Sequence, residues 1–314
     1  MVTLTRRDFL IGSALGAAAL AVTSPQALAQ PARCGCVRLP GGRRVAFAEH
    51  GNPAGAKVVI YHHGLPSSRR EAEVLLPALA SRPDVRLIAF DRPGIGDSDP
   101  VARPSFRGWA NDLASCADAL GVSRFALAGT SGGTPYVLAA ALAFPDRVTQ
   151  IALASPVAEH QRHRDNGGDT WFVRLAHCAP RVAERIMAVG VRRIERNHAA
   201  VVGMLQLTPT ERRMFDDPAN VEFVAGFMLD SVRQGTAGSV AEAGLLPGPW
   251  GLPLCRVAVP VVLFHGTVDR TAPPWMSGQL ALEIPGAQVR YFPGEGHLGV
   301  PYFHAAEILA AATA

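Results

Sequence analysis

Residues 125–138 read FALAGTSGGTPYVL. An apolar run of strand length ends in Gly129-Thr130-Ser131-Gly132-Gly133, and a second apolar run begins at once from Thr134. Glycine within a regular element costs stability, and it is kept where the backbone must turn unusually or pass very close to other atoms. The pattern predicts a strand, a tight turn carrying Ser131 with strained backbone angles, and a helix starting directly beneath that serine. Gly129 and Gly133 would provide the room such a turn needs. A serine that only caps the next helix is the plainer alternative, so the decision rests on the remainder of the chain.

The flanking sequence repeats the same rhythm. RRVAFAEHG, KVVIYHHG, VRLIAFDRPG and VTQIALASP are apolar runs of strand length, each closed by Gly, Pro or polar residues. Helical patterns lie between them, as at 106–120 (FRGWANDLASCADAL) and 134–144. Strands apolar throughout and alternating with helices predict an α/β fold with a mostly parallel sheet covered on both faces. From about Val157 to Trp250 the strand pattern is replaced by helical stretches with Pro and Gly breaks. It returns in PVVLFHGTVD and AQVRYFPGEGH, and a last helix is expected over 302–313. The expected organisation is a core of residues 30–156 and 251–314, interrupted by a helical insertion at 157–250.

Five short motifs stand at the ends of these runs. G-x-S-x-G at a strand-to-helix turn is the form of a nucleophile elbow. YHHGLPSS at 61–68 and FDRPGIGDSD at 90–99 each follow a strand, and after the insertion come HGTVDRTAPP and GEGHLG. Together they resemble the α/β-hydrolase family over nearly all of residues 33–314, least in the insertion. The resemblance implies a serine hydrolase with Ser131 as nucleophile, His297 as base and Asp269 as the acid that orients it. Mapped onto His63–Gly64, it implies an oxyanion hole formed by the N–H groups of Leu65 and Gly132. Asp91 and Arg92 are read as structural. Glu159 is the alternative acid, because some relatives place theirs after the strand ending near Ala154. Serine at the elbow speaks against the epoxide and haloalkane chemistry of relatives that carry aspartate there, and Gly132 leaves a roomy floor.

The insertion stands where the family carries a cap. Of its apolar residues, Trp171, Phe172 and Phe227 are the candidates for lining a substrate pocket, most of the others packing the cap itself. The chemistry implied is acyl transfer on a small-molecule substrate, most readily the hydrolysis of small to medium apolar carboxylic esters, with no metal or organic cofactor. An amide or peptide hydrolase is a second reading, with Glu184, Glu195 or Glu222 available to bind a substrate amine. Carbon–carbon bond hydrolysis uses the same three residues, perhydrolysis could be a side activity, and a non-catalytic binding protein is a further alternative. His160 and His163 are three apart, but no third ligand is spaced to complete a metal site.

The remaining features bound the setting. TRRDFLIGSALGAAALAVTSPQALAQ joins a basic start, a short apolar run and Ala27-Leu28-Ala29, the layout of a signal peptide. Thr5-Arg6-Arg7-Asp8-Phe9-Leu10 resembles the bacterial twin-arginine export signal. Phe9–Val22 falls short of the ~20 residues a membrane span needs. Residues 1–29 are therefore expected to be removed on export by the twin-arginine machinery, leaving a periplasmic or secreted chain without a span. In the 314-residue sequence 48% is hydrophobic and 18% charged, the balance of a globular chain with a sizeable core and not of a disordered one. The net charge is +4, but its basic residues are scattered among acids, which excludes a nucleic-acid stripe. Five cysteines form no disulfide framework, although export would permit a Cys178–Cys255 bridge.

Overall fold

The central strand β5 (Phe125–Thr130) is buried at every residue, as a run without a polar face must be. The structure is a computed structural model that describes residues 33–159 and 171–314. The expected signal segment and the His160–His163 pair lie outside the described residues.

Eight strands form one sheet in the order β1-β2-β4-β3-β5-β6-β7-β8. They are β1 (Arg33–Arg38), β2 (Arg44–Gly51), β3 (Lys57–His62), β4 (Val85–Phe90), β5, β6 (Val148–Ala154), β7 (Val261–Gly266) and β8 (Gln288–Phe292). β1, β2 and β4 pair antiparallel in sequence, and every pairing from β4 across to β8 is parallel. The α/β expectation holds, with one strand missed. β1 reads RCGCVR and buries only Val37, so it carries no alternating apolar signal. It forms because it completes the ladder to β2, from Arg33 opposite Glu49 to Arg38 opposite Arg44.

The helices named first in the chain are α1 (Leu76–Leu79), α2 (Phe106–Ala119) and α3 (Thr134–Ala143). The insertion supplies α4 (Trp171–Cys178), α5 (Pro180–Arg196), α6 (Pro209–Met214), α7 (Pro218–Ser231) and α8 (Ala237–Leu245). After β7 come α9 (Trp275–Glu283), α10 (Gly299–Phe303) and α11 (Ala305–Ala312). The last helix expected from sequence is thus two, broken at His304.

Alternate residues of the central strands enter opposite cores. Ile60 and Leu127 pack with Trp109, Leu113 and Leu138 of α2 and α3, whereas Val59, Tyr61 and Ala128 pack with Leu79, Ile308 and Leu309 of α1 and α11. That two-residue period with both faces covered explains why these strands are apolar throughout. α3 is buried at every position from Thr134 to Ala141, the mark of a central helix.

The insertion has small cores of its own. Ile194, Val201, Phe223, Val224 and Phe227 form one, and Ala176, Ala183, Val240 and Ala243 another. It is tied to the sheet by polar contacts. The Arg92 guanidinium, 1% exposed, pairs with Glu242 of α8, which is 4% exposed. Gln234 donates to the carbonyls of Gly96 and Ser98 at 2.8 Å each, and Arg70 pairs with Asp230 at 3.4 Å. Cys178 and Cys255 are both free and exposed, so the permitted bridge is not formed. No helix among the described residues is long and apolar enough to cross a membrane.

Two substitutions test this frame by thermal or denaturant unfolding. Glu242→Ala strands the buried Arg92 charge and is expected to cost about 3–5 kcal/mol. An exposed-site control, Leu282→Ala, should stay within about 0.5 kcal/mol, since Leu282 is 91% exposed. Equal stability of the two variants would contradict the role given to the pair.

Candidate active site

Ser131 lies at φ 50°, in the left-handed region that a side chain enters only at a cost. The turn closes because its neighbours are small. A Cβ on Gly133 would lie 2.5 Å from the His62 carbonyl oxygen and 2.8 Å from that of His63, and one on Gly129 would meet Val137 at 3.0 Å. The turn therefore rests directly on the backbone that leaves β3. Thr134 stiffens it from below, its hydroxyl donating to the Ser131 carbonyl at 2.7 Å. The expected strain and the reasons for Gly129 and Gly133 are thus both visible.

The loop after β3 runs beside this turn. A Cβ on Gly132 would sit 3.7 Å from the Leu65 nitrogen, which places the Leu65 and Gly132 peptides next to each other, flanking Ser131. Arg92 fixes this loop by donating to the carbonyls of His63 and Gly64 at 2.8 and 3.1 Å. His63 is buried, and burial and the Arg92 charge hold its pKa well below the usual histidine value. It is a neutral structural ring. Asp91 accepts from the backbone of Arg69 and Asp97 and pairs with the Arg69 guanidinium. The structural reading of Asp91 and Arg92 agrees with these contacts.

On the same carboxyl edge of the sheet as Ser131, Asp269 follows β7 and His297 follows β8. The Nδ1–H of His297 donates to Asp269 Oδ2 at 2.7 Å. Asp269 Oδ1 accepts the N–H groups of Thr271 and Ala272, both at 2.9 Å, so the carboxylate is held in one orientation. Burial alone would raise its pKa, but the facing charges and hydrogen bonds of His297 and His265 overcome this and hold it well below the usual range. For His297 the balance runs the other way. Burial lowers its pKa, but the Asp269 carboxylate, with Glu211 and Glu71 farther off, leaves it above 6.5. Glu159 is engaged elsewhere, accepting the Trp250 N–H at 3.2 Å.

Three supporting residues had no sequence signal for this role. Ser155, also at positive φ, donates its hydroxyl to the His297 carbonyl at 2.8 Å. Glu211 of α6, 1% exposed, accepts the N–H groups of Leu298 and Gly299 at 2.7 and 2.8 Å. Its Thr208-x-x-Glu211 spacing is a capping box, and that box is present. The pattern announces the helix start and says nothing of the reach across to the loop. Glu71 accepts from the Gly64 N–H at 3.0 Å and the Tyr61 hydroxyl at 2.9 Å. Burial raises its pKa against those hydrogen bonds.

Ser131 is reached from two adjoining cavities. One is lined by His297, Glu71 and Phe227, the other by Gly132, Trp171 and Phe172. All three expected pocket residues thus face a cavity that contains Ser131. Glu184, Glu195 and Glu222 line neither. Among the described residues no group of three His, Cys, Asp or Glu could hold a metal ion.

The α/β-hydrolase fold family profile matches residues 57–302. The chain belongs to that family. It is 27% identical over 248 residues to the magnesium-chelatase 30 kDa subunit of Rhodobacter capsulatus, covering 78% of this chain and 82% of that one. The esterase RhEst1 from Rhodococcus sp. ECU1013 superposes with TM-score 0.63 at 25% identity, covering 88% of this chain and 97% of that one. A thermophilic esterase from Thermogutta terrifontis gives TM-score 0.65 at 21% identity, covering 89% and 96%.

The electrostatics of the His297–Asp269 pair can be read by NMR titration of the His297 ring. A midpoint above 6.5 is expected, the ring being protonated below it and neutral above. Asp269→Asn removes the principal stabilising charge and should move that midpoint down by about a unit or more. An unchanged midpoint would contradict the pairing.

Proposed function

We propose that this chain is an exported serine hydrolase that cleaves small to medium apolar carboxylic esters by acyl transfer. One observation carries the reading. A serine held at positive φ beside the Leu65 and Gly132 amides shares an apolar cavity with a histidine whose Nδ1 is bonded to a buried carboxylate.

Asp269 fixes the His297 tautomer with the proton on Nδ1, leaving Nε2 to accept the Ser131 proton. Ser131 Oγ then attacks the ester carbonyl carbon, and the oxygen that gains charge is met by the Leu65 and Gly132 N–H groups. His297 returns the proton to the departing alcohol oxygen as the C–O bond breaks. Water repeats the sequence on the acyl-enzyme, releasing the acid and restoring Ser131. The apolar lining supports ester substrates over charged ones, and the absence of Glu184, Glu195 and Glu222 from both cavities removes the acids on which the amine-binding, peptidase reading depended. Export rests on the twin-arginine-like start of the sequence.

Hydrolysis of p-nitrophenyl esters from acetate to palmitate tests the proposal, with Ser131→Ala and His297→Ala run alongside. Turnover should fall about 10⁴-fold or more in each variant, and a fluorophosphonate should label the wild type but not Ser131→Ala. Full activity in Ser131→Ala would overturn it.

A further inference from the structure

We infer that Ser131 divides its cavity into an acyl chamber beside Gly132 and a leaving-group chamber beside His297, which suits esters of a larger apolar acid with a smaller neutral alcohol. The inference rests on the ester-hydrolase reading and adds to it the direction in which the substrate lies.

The two cavities share Leu65, Pro66, Ser131, Leu205, Met228 and Thr271 and diverge on either side of the serine. Their chemistry is not interchangeable. In the tetrahedral intermediate, one substituent is the oxyanion, directed at the Leu65 and Gly132 amides. A second is the alkoxy oxygen, which can leave only after taking the proton held by His297. That oxygen and its alkyl group must therefore lie on the side walled by His297. The remaining substituent, the acyl carbon chain, is left with the opposite side, over Gly132.

The glycine matters here. A Cβ at position 132 would lie 3.1 Å from the Leu65 side chain and 3.7 Å from that of Leu246, so a larger residue would narrow the passage from Ser131 into the second chamber. That chamber holds about 320 Å³ and is walled by Phe172, Met187, Ile194, Val232 and Leu246. The chamber on the His297 side holds about 130 Å³, between Val74, Leu207, Phe223 and Phe227. Among the described residues its one carboxyl group, Glu71, is buried and already bonded to Gly64 and Tyr61. An alcohol bearing phosphate or carboxylate would have to shed its hydration among these apolar walls with no Arg or Lys among the described lining residues to pair with, so neutral alcohols are favoured.

The test is a matrix of unactivated esters, with acetyl to octanoyl acids crossed with methyl to hexyl alcohols, followed by acid release. Wild type should tolerate lengthening of the acid further than lengthening of the alcohol. Met187→Trp should lower the octanoate-to-acetate ratio of kcat/KM by about tenfold or more at fixed alcohol, leaving the hexyl-to-methyl ratio within about twofold. Leu207→Trp should do the reverse. Val173→Phe and Val74→Phe fill the same two chambers and serve if either tryptophan variant does not fold. Activity with the two effects exchanged would overturn the assignment while leaving the ester reading standing. No hydrolysis of any ester by folded wild type would overturn both.

Discussion

The site depends on one close approach. Gly133 presses against the carbonyls of His62 and His63 with no room for a side chain, and only then can Ser131 hold φ 50° at the end of a strand buried on both faces. Strain at a single residue persists when the surrounding structure over-determines it. Here the sheet below, α3 behind and the β3 loop alongside all do so. The same contact sets the Leu65 peptide next to that of Gly132, so the turn that presents the serine to the cavities also brings two donors together. A change that relaxed the turn would disturb the nucleophile and the proposed oxyanion hole at once.

The second dependence runs through buried carboxylates on the insertion. Glu242 neutralises Arg92, which in turn holds the carbonyls of His63 and Gly64. Glu211 gathers the backbone N–H groups that follow His297. The helices between β6 and β7 therefore contribute apolar walls and also fix, from above, the two loops that flank Ser131. Acidic groups are costly to bury without partners; Glu242 is paired with Arg92, and Glu211 accepts backbone N–H groups. The insertion and the sheet are coupled through the site, so loosening one should be felt in the other.

Much of this was legible in the sequence, for a physical reason. Strands covered on both faces must be apolar throughout, and turns that pass close to backbone must be glycine, so β3, β4, β5, β6 and β7 announced themselves together with the Ser131 turn. Asp269 and His297 could be placed because each stands in a short loop just after a strand. β1 was illegible because an exposed edge strand is defined by its partner and not by its own pattern. Glu211, Ser155 and Glu71 were illegible for a related reason. Apart from the Tyr61 hydroxyl on Glu71, their partners are backbone groups up to 142 residues away, and a backbone N–H or carbonyl leaves no mark in a sequence. The pairing of Arg92 with Glu242, 150 residues apart, likewise joins two ordinary charged residues that only the fold brings together.

The measurement that bears most directly on the central claim is a crystal structure of the chain after reaction with an alkyl p-nitrophenyl phosphonate. Phosphorus should be bonded to Ser131 Oγ, with its oxygen within about 2.7–3.1 Å of both the Leu65 and Gly132 nitrogens, and the Asp269–His297 hydrogen bond should be intact. A phosphonyl oxygen turned away from those two amides, or the adduct on any other residue, would contradict the claim.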